Sequence, residues 1–431
     1  MASAVLRPSA LAAFFSTISR RAFLAMGIRS AFGSVLASVL APLRSAFAGS
    51  SPSPRFFRRI VTKNNRTSAT IEWQTDAELS NPRFFWREAG SKSEKTADVD
   101  VKYFALENHP VFVYRAALSG LTAGKRIECR VEAAGRNAGN FAFRTDKGSA
   151  MQALIFPDSQ CDNNYDTWAR VSGEASSRCP NAELWINMGD LVDNGASFYQ
   201  WNEWQSAADT SLNERAFAPI MGNHECYSVD WEYCRPDAFL SLFATPDNGS
   251  TKYQRYYYSF DYGPVHFIVL NTQQEELDPL TPGLFEEQAA WLVNDLKSAK
   301  ARWRVALLHR DLIDYDQEPI MRDAFVETLV PVLESNGVDA VLTAHAHAYR
   351  RRRLSAWKPA KNGVLYILTG NAGNCFYDVK KNEIDEIAFP DNFLNYMTME
   401  ADETKLTFRC FLPNGIIKDF VTLRKQPEAE E

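Results

Sequence analysis

Five short apolar runs constrain this chain more than any other feature. Residues 153–156, 184–188, 217–221, 305–308 and 338–342 each end within three residues of a side chain that can hold a metal ion: Asp158, Asp190, Asn223, His309 and His345. Stretches of helical periodicity separate several of these runs. Phe285, Ala289, Leu292, Val293 and Leu296 fall on one helical face, for example. Buried strands alternating with amphipathic helices predict an α/β domain with substantial parallel pairing. In open α/β sheets, sites form beyond the carboxyl ends of the strands. The five polar positions are therefore expected to meet in one place, however far apart they lie in the chain. Residues 260–271 read as a strand or hairpin around Gly263-Pro264. Residues 397–423 alternate again and turn at Pro413-Asn414-Gly415.

The chain from residue 55 to about 148 has a different pattern. Residues 67–73, 111–118, 126–133 and 141–145 alternate with a period of two, and a Gly-rich turn lies at 120–124. Short strands at regular spacing predict a small all-β sandwich. With Trp73 on an early strand and the Gly120-Leu121 turn, it resembles a fibronectin type III module. No cluster of candidate catalytic groups falls here, and His109, followed by Pro110, is expected in a loop.

The formal net charge of −6 and the absence of a basic arm argue against a nucleic-acid partner. The one basic run, Arg350-Arg351-Arg352-Arg353, reads as a solvated strand edge guarded by charge, with Arg350 the candidate to reach a substrate pocket. Ser19-Arg20-Arg21-Ala22-Phe23-Leu24, an apolar stretch at 31–43 and the small-x-small site Ala46-Phe47-Ala48 predict a twin-arginine signal over residues 1–48. That signal implies export to a periplasmic or extracellular space. The apolar stretch is short for a membrane anchor, and a transit peptide is the other alternative. The seven cysteines show no C-x-x-C spacing. They are expected as buried thiols, or as a short-range disulfide such as Cys226 with Cys234.

In chain order the candidate ligands are a carboxylate, a carboxamide, a second carboxylate and several imidazoles. Such a set suits two ions of borderline softness, Mn, Zn or Fe. Two adjacent ions share a bridging carboxylate, polarise a common water and clamp a leaving oxyanion. His266 lies in an apolar alternating run and reads as a core histidine. Trp201, Trp204, Tyr227, Trp231 and Tyr233 flank the motifs, either to stack on an aryl or nucleobase leaving group or to pack the loops.

Together Asp158-Ser159-Gln160, Gly189-Asp190-Leu191-Val192-Asp193, Gly222-Asn223-His224-Glu225, His309 and Ala344-His345-Ala346-His347 resemble the motifs of calcineurin-like metallophosphoesterases. Within that superfamily the purple acid phosphatase branch fits best. The preceding β-module and the Gly-x-x-x-Asp-Phe pattern at 415–420 resemble that branch too. The resemblance implies a β-sandwich core flanked by helices (α/β/β/α) over residues 149–424, preceded by the all-β sandwich and followed by an acidic tail at 425–431. It implies that Asp158, Gln160, Asp190 and His347 hold one ion, that Asn223, His309 and His345 complete a second, and that Asp190 bridges. His224 would stay free of metal, to bind phosphate or give a proton to the leaving group. Three positions depart from the family pattern. Asp193 stands where relatives carry a metal-bound tyrosinate, so no purple colour is expected, and its carboxylate is expected to orient a ligand. Gln160 stands where many relatives have His or Gly and is a neutral donor. Ala344 replaces the usual Gly before His345. Glu225, like Arg350, is a candidate to support the ligands or touch the substrate. The expected activity is hydrolysis of small phosphate esters, monoesters foremost. Phosphodiesters are the alternative within the superfamily, and an exported binding protein with a vestigial metal site is the alternative outside it.

Overall fold

Period-two alternation sorts the side chains of a strand onto two faces, and in this protein both faces of the central sheets are buried. The computed structural model describes residues 52–212, 214–315 and 319–426. The expected signal at 1–48 and residues 427–431 of the expected acidic tail lie outside the described residues. Eight strands come first: β1 (Arg55–Ile60), β2 (Ser68–Thr75), β3 (Arg83–Glu88), β4 (Lys95–Ala97), β5 (Val99–Leu106), β6 (His109–Ser119), β7 (Arg126–Ala133) and β8 (Arg136–Arg144). An alternating region follows with β9 (Met151–Phe156), α1 (Asp166–Arg178), β10 (Leu184–Asn187), α2 (Phe198–Leu212), β11 (Ala216–Pro219) and α3 (Asp237–Leu242). Next come β12 (Tyr258–Tyr262), β13 (Val265–Leu270), α4 (Gln274–Leu277), α5 (Leu284–Ser298), β14 (Trp303–Leu308), β15 (Ile313–Asp314), β16 (Met321–Arg322), α6 (Ala324–Ser335) and β17 (Ala340–Thr343). The chain closes with β18 (Tyr349–Ser355), β19 (Lys358–Pro359), β20 (Val364–Thr369), β21 (Ile387–Ala388), β22 (Tyr396–Ala401), β23 (Lys405–Phe411) and β24 (Ile417–Arg424).

Two sheets face each other across an apolar layer. In the first, β9, β10 and β11 run parallel; in the second, β13, β14, β17 and β20 do. Ala153, Ile155, Leu184 and Ile186 meet Phe267, Val305, Leu307 and Leu342 between the sheets. The alternate residues Leu154, Phe156, Trp185 and Phe217 turn outward beneath Trp168 of α1 and Trp204 of α2. On the far side Ile268, Leu308 and Val341 lie beneath Leu292 of α5 and Leu329 of α6. The result is a helix–sheet–sheet–helix stack. Strands buried on both faces read as continuous apolar runs, which is why their positions were legible. Trp201 and Trp204 are core residues of this stack, not surfaces on which a leaving group could stack.

The first β-module is an all-β sandwich, with β1, β2, β6 and β5 facing β4, β3, β7 and β8. Trp73 stacks on Phe84 and Tyr114 at its centre, at 5.7 and 5.6 Å. One sheet runs through both of the expected sandwiches. The sheet order β24-β23-β22-β9-β10-β11-β1-β2-β6-β5 is continuous. β1 pairs parallel with β11, Arg59 beside Ala216 and Ile60 beside Phe217. Arg58 and Arg59 disguise β1 in the sequence, yet both are buried. Arg58 pairs with Glu72 at 3.1 Å, and Glu72 also holds Arg115 at 2.7 Å. A second correction concerns His109, which opens β6 and is not in a loop.

A third correction concerns the arginine run. β18 is not a solvated edge: β20 pairs on one side, β19 and β21 on the other. Arg350 and Arg352 are buried. Arg352 bridges Asp311 at 2.8 Å and Asp385 at 2.6 Å, and the Arg350 guanidinium reaches the Tyr349 and Val379 carbonyls at 2.8 and 2.5 Å. All seven thiols are free.

His266 is the expected core histidine. It joins Asp261 at 2.7 Å and Asp295 at 2.8 Å. Burial acts to lower its pKa, but the hydrogen bonds to Asp261 and Asp295 outweigh this and lift it to about 9, against an ordinary 6.5. A raised folded-state value stabilises fully below the unfolded value and is lost as pH climbs through the folded one. Urea unfolding should therefore show stability falling by roughly 2 kcal/mol from this group between pH 6.5 and 9.5, after allowing for solvent around Asp261. Asp295→Asn should flatten that slope relative to the unsubstituted protein.

Candidate metal centre

Each candidate donor follows the carboxyl end of a strand. Asp158 follows β9, Asp190 follows β10, Asn223 follows β11, His309 follows β14, and His345 and His347 follow β17. Two glycines let the loops nest. A Cβ on Gly189 would meet His309 Nδ1 at 2.4 Å, and one on Gly222 would meet Asp190 Oδ1 at 2.1 Å. Asp190, His345 and His347 adopt left-handed backbone angles, φ +49°, +74° and +51°. Non-glycine residues hold such angles only where the surroundings impose them.

The imposing contacts are hydrogen bonds. Glu225, fully buried, accepts from Asp190 N at 3.0 Å, Gly222 N at 2.7 Å and Leu191 N at 2.8 Å. It thereby clamps two loops with one carboxylate. Burial, then the nearby Asp190 charge, lift its pKa to about 8. Asp158 accepts from His345 N at 3.0 and 3.1 Å, and Asp190 Oδ1 accepts from His224 N at 2.9 Å.

The imidazoles are aimed from behind. His309 Nδ1 lies 2.9 Å from the Met188 carbonyl and His347 Nδ1 lies 2.9 Å from the Cys375 carbonyl. A carbonyl only accepts, so both Nδ1 atoms carry the proton and both Nε2 atoms point inward, the arrangement metal-binding histidines favour. His309 Nε2 then stands 3.0 Å from Asp190 Oδ2 and 3.0 Å from Asn223 Oδ1. His345 Nδ1 is also 3.0 Å from Asn223 Oδ1. His347 Nε2 is 3.5 Å from Asp158 Oδ1 and 3.2 Å from Gln160 Nε2. Two donor groups result, Asp190 with His309 and His345, and Asp158 with Asp190 and His347, each with ligand atoms within 4.8 Å of one another. Asp190 belongs to both.

This donor set fits two cations. Gln160 Oε1 is buried with no hydrogen-bond partner and Asp190 Oδ2 is buried with only His309 Nε2 in reach, a costly state for an oxygen unless a cation or donor meets it. Once His309 Nε2 and His347 Nε2 give up their protons, the inward-facing lone pairs on oxygen and nitrogen repel at about 3 Å, and a shared cation reverses that sign. Electrostatics agree. Burial works against ionisation of Asp190, yet His309 and His224 hold its carboxylate far below the usual range. Burial would lower His309 and His347, but Asp190 lifts the first to about 9 and Asp158 the second to about 10. Burial, then His309, push His345 well down.

Other sequence candidates take different places. The Asp193 carboxylate turns away to Asp162 N at 2.5 Å, while its backbone carbonyl receives His224 Nδ1 at 2.8 Å. Arg350 does not line the cavity. That cavity, about 340 Å³, is bounded by Asp190, Asn223, His224, Tyr227, Arg310 and Tyr377 among others. Arg310 and Tyr377 were missed from the sequence; the only signal was that Arg310 follows His309. A larger cleft of about 1000 Å³ lies at the opposite, amino ends of β9 and β10 and contains none of these donors.

Residues 151–349 match the calcineurin-like phosphoesterase family model. The chain carries a calcineurin-like metallophosphoesterase domain. The chain is 25% identical over 212 residues to Purple acid phosphatase 18 of Arabidopsis thaliana, covering 48% of this chain and 47% of that protein. It spans less than half the length of the first curated relatives it matches. In fold it is similar to purple acid phosphatase PPD1 of yellow lupin seeds, with TM-score 0.74 and 17% identity over 86% of this chain and 74% of that one. It is also similar to PhoD, with TM-score 0.63 and 13% identity over 88% and 93%.

Protons held on His309 and His347 must leave before either nitrogen binds a cation. Affinity of the protein for Zn should therefore rise with pH up to about 9–10. Calorimetric titration at pH 7.5 in buffers of different ionisation enthalpy should show net proton release. Proton-neutral binding would contradict this electrostatic picture.

Proposed function

We propose that the chain hydrolyses phosphate esters at a pair of metal ions, Mn, Zn or Fe, held by Asp158, Gln160, Asp190, Asn223, His309, His345 and His347. The observation that carries this reading is the Asp190 carboxylate shared by two donor groups. Such ions, when bound, activate water and offset charge on the phosphoryl oxygens. With no tyrosinate among these donors, the protein should lack a charge-transfer band.

His224 supplies the proton chemistry. Its Nδ1 is committed to the Asp193 carbonyl, so Nε2 faces the cavity, 3.9 Å from Asp190 Oδ2. The edges of Tyr227 and Trp231 meet its ring at 5.4 and 5.8 Å and fix its plane. A fixed imidazole at the cavity wall can bind a phosphoryl oxygen and protonate a leaving alkoxide. The twin-arginine motif supports export.

Monoester hydrolysis is the first reading. A specific observation also favours diesters. Arg310 lines the cavity but is already paired with Glu276 at 2.7 Å and Glu275 at 3.5 Å, and Asp378 adds a further carboxylate. This rim suits a singly charged diester better than a doubly charged monoester.

Turnover of 4-nitrophenyl phosphate against its bis-ester separates the two readings. Asn223→Ala should lose the second ion. His224→Ala should retain both ions and lose on the order of 10²–10⁴ in turnover of an alkyl phosphate. Full activity of that variant would reject the acid role. Well under two ions per chain after reconstitution would point instead to a binding protein with a vestigial site.

A further inference from the structure

The β5–β6 hairpin of the first β-module meets the start of α2, beside the loop that holds the catalytic histidine. β5 and β6 pair from Val99–Ala116 to Leu106–His109, leaving the two-residue turn Glu107-Asn108. Both turn residues are left-handed, φ +48° and +65°. Such turns favour Asn and Gly, so a glutamate here has a conformational cost and needs a compensating contact. Its carboxylate crosses to the catalytic domain. Glu107 Oε2 accepts from Phe198 N at 2.7 Å and from Ser197 Oγ at 3.3 Å. Phe198 is the first residue of α2, whose first N–H groups have no partner within the helix. A carboxylate there satisfies one of them and complements the helix dipole. His109 stacks on the Phe198 ring at 4.2 Å, adding a second contact from the same hairpin.

The loop entering α2 holds the histidine. Asp193 O receives His224 Nδ1 at 2.8 Å. Gly195 N donates to His224 O at 2.9 Å, and Ala196 N donates to Tyr227 O at 3.2 Å. Trp201 Nε1, one turn into α2, donates to Gly195 O at 2.8 Å. The fit admits no side chain at residue 195, where a Cβ would meet Glu225 O at 2.0 Å. Loop and helix therefore move as one piece, and Glu107 anchors the end of that piece nearest His224.

We infer that Glu107 is a positioning residue for the reaction, acting from the β-module through the start of α2 to set the aim of His224. This rests on the reading of His224 as the acid for the leaving group. Displacement of a catalytic group by an ångström or less is enough to slow a reaction, so a distant cap has a kinetic effect specific to the step His224 serves.

The test uses the metal-loaded full chain and two substrates. Ethyl phosphate needs a proton on its leaving group; 4-nitrophenyl phosphate does not. Glu107→Ala should lower kcat on ethyl phosphate by about tenfold or more, while KM and bound metal stay unchanged. On 4-nitrophenyl phosphate the change should be about threefold or less. Glu107→Gln, which keeps an acceptor oxygen, should recover most of the ethyl phosphate rate. Equal losses on both substrates, or no loss on either, would overturn the inference, as would a Glu107→Gln that behaves like Glu107→Ala. The same pair of substrates run on His224→Ala identifies which premise failed: no leaving-group dependence there removes the acid role itself.

Discussion

One carboxylate, Asp190, ties the site to the fold. Its backbone N–H is held by Glu225, its Oδ1 holds the backbone of His224, and its Oδ2 faces His309. Glu225 extends the tie to Gly222 and Leu191. The loops after β10, β11 and β14 thus converge on one residue with a left-handed backbone. Hydrogen bonds alone do not complete this arrangement. Gln160 Oε1 stays unsatisfied and Asp190 Oδ2 has only His309 beside it in a buried space, and cations are the natural complement.

That convergence depends on the double-faced burial of the strands. Because β9, β10, β11, β14 and β17 are covered by a sheet on one face and helices on the other, their ends cannot shift independently. The β-module belongs to the same rigid frame. Parallel pairing of β1 with β11 extends the sheet of β9, β10 and β11 by four strands of the module. The buried Arg58–Glu72–Arg115 cluster fixes the joint. In this frame the module acts as a structural extension of that sheet as well as a sandwich of its own.

Much of this was legible in the sequence, for a physical reason. Fully buried strands spell themselves as apolar runs, and donors at their carboxyl ends follow from how α/β sheets form sites. His266 read correctly as a core residue because it sits in such a run. What escaped is what pairing and ion partners decide at long range. Arg58, Arg59, Arg350 and Arg352 look solvated in the chain but are buried by carboxylates and carbonyls distant in sequence. β5 carries mostly exposed side chains, so its alternation was too faint to read. Arg310 and Tyr377 line the cavity because of loop geometry, which no local pattern encodes. Asp193 acts on His224 through its carbonyl rather than its carboxylate, a role open to any residue type.

Anomalous diffraction from crystals of the metal-loaded protein tests the shared carboxylate most directly. The expected result is two ions, both ligated by Asp190, one also by Asp158 and His347, the other also by His309 and His345. A single ion, or a pair in which Asp190 contacts only one or neither, would contradict the account.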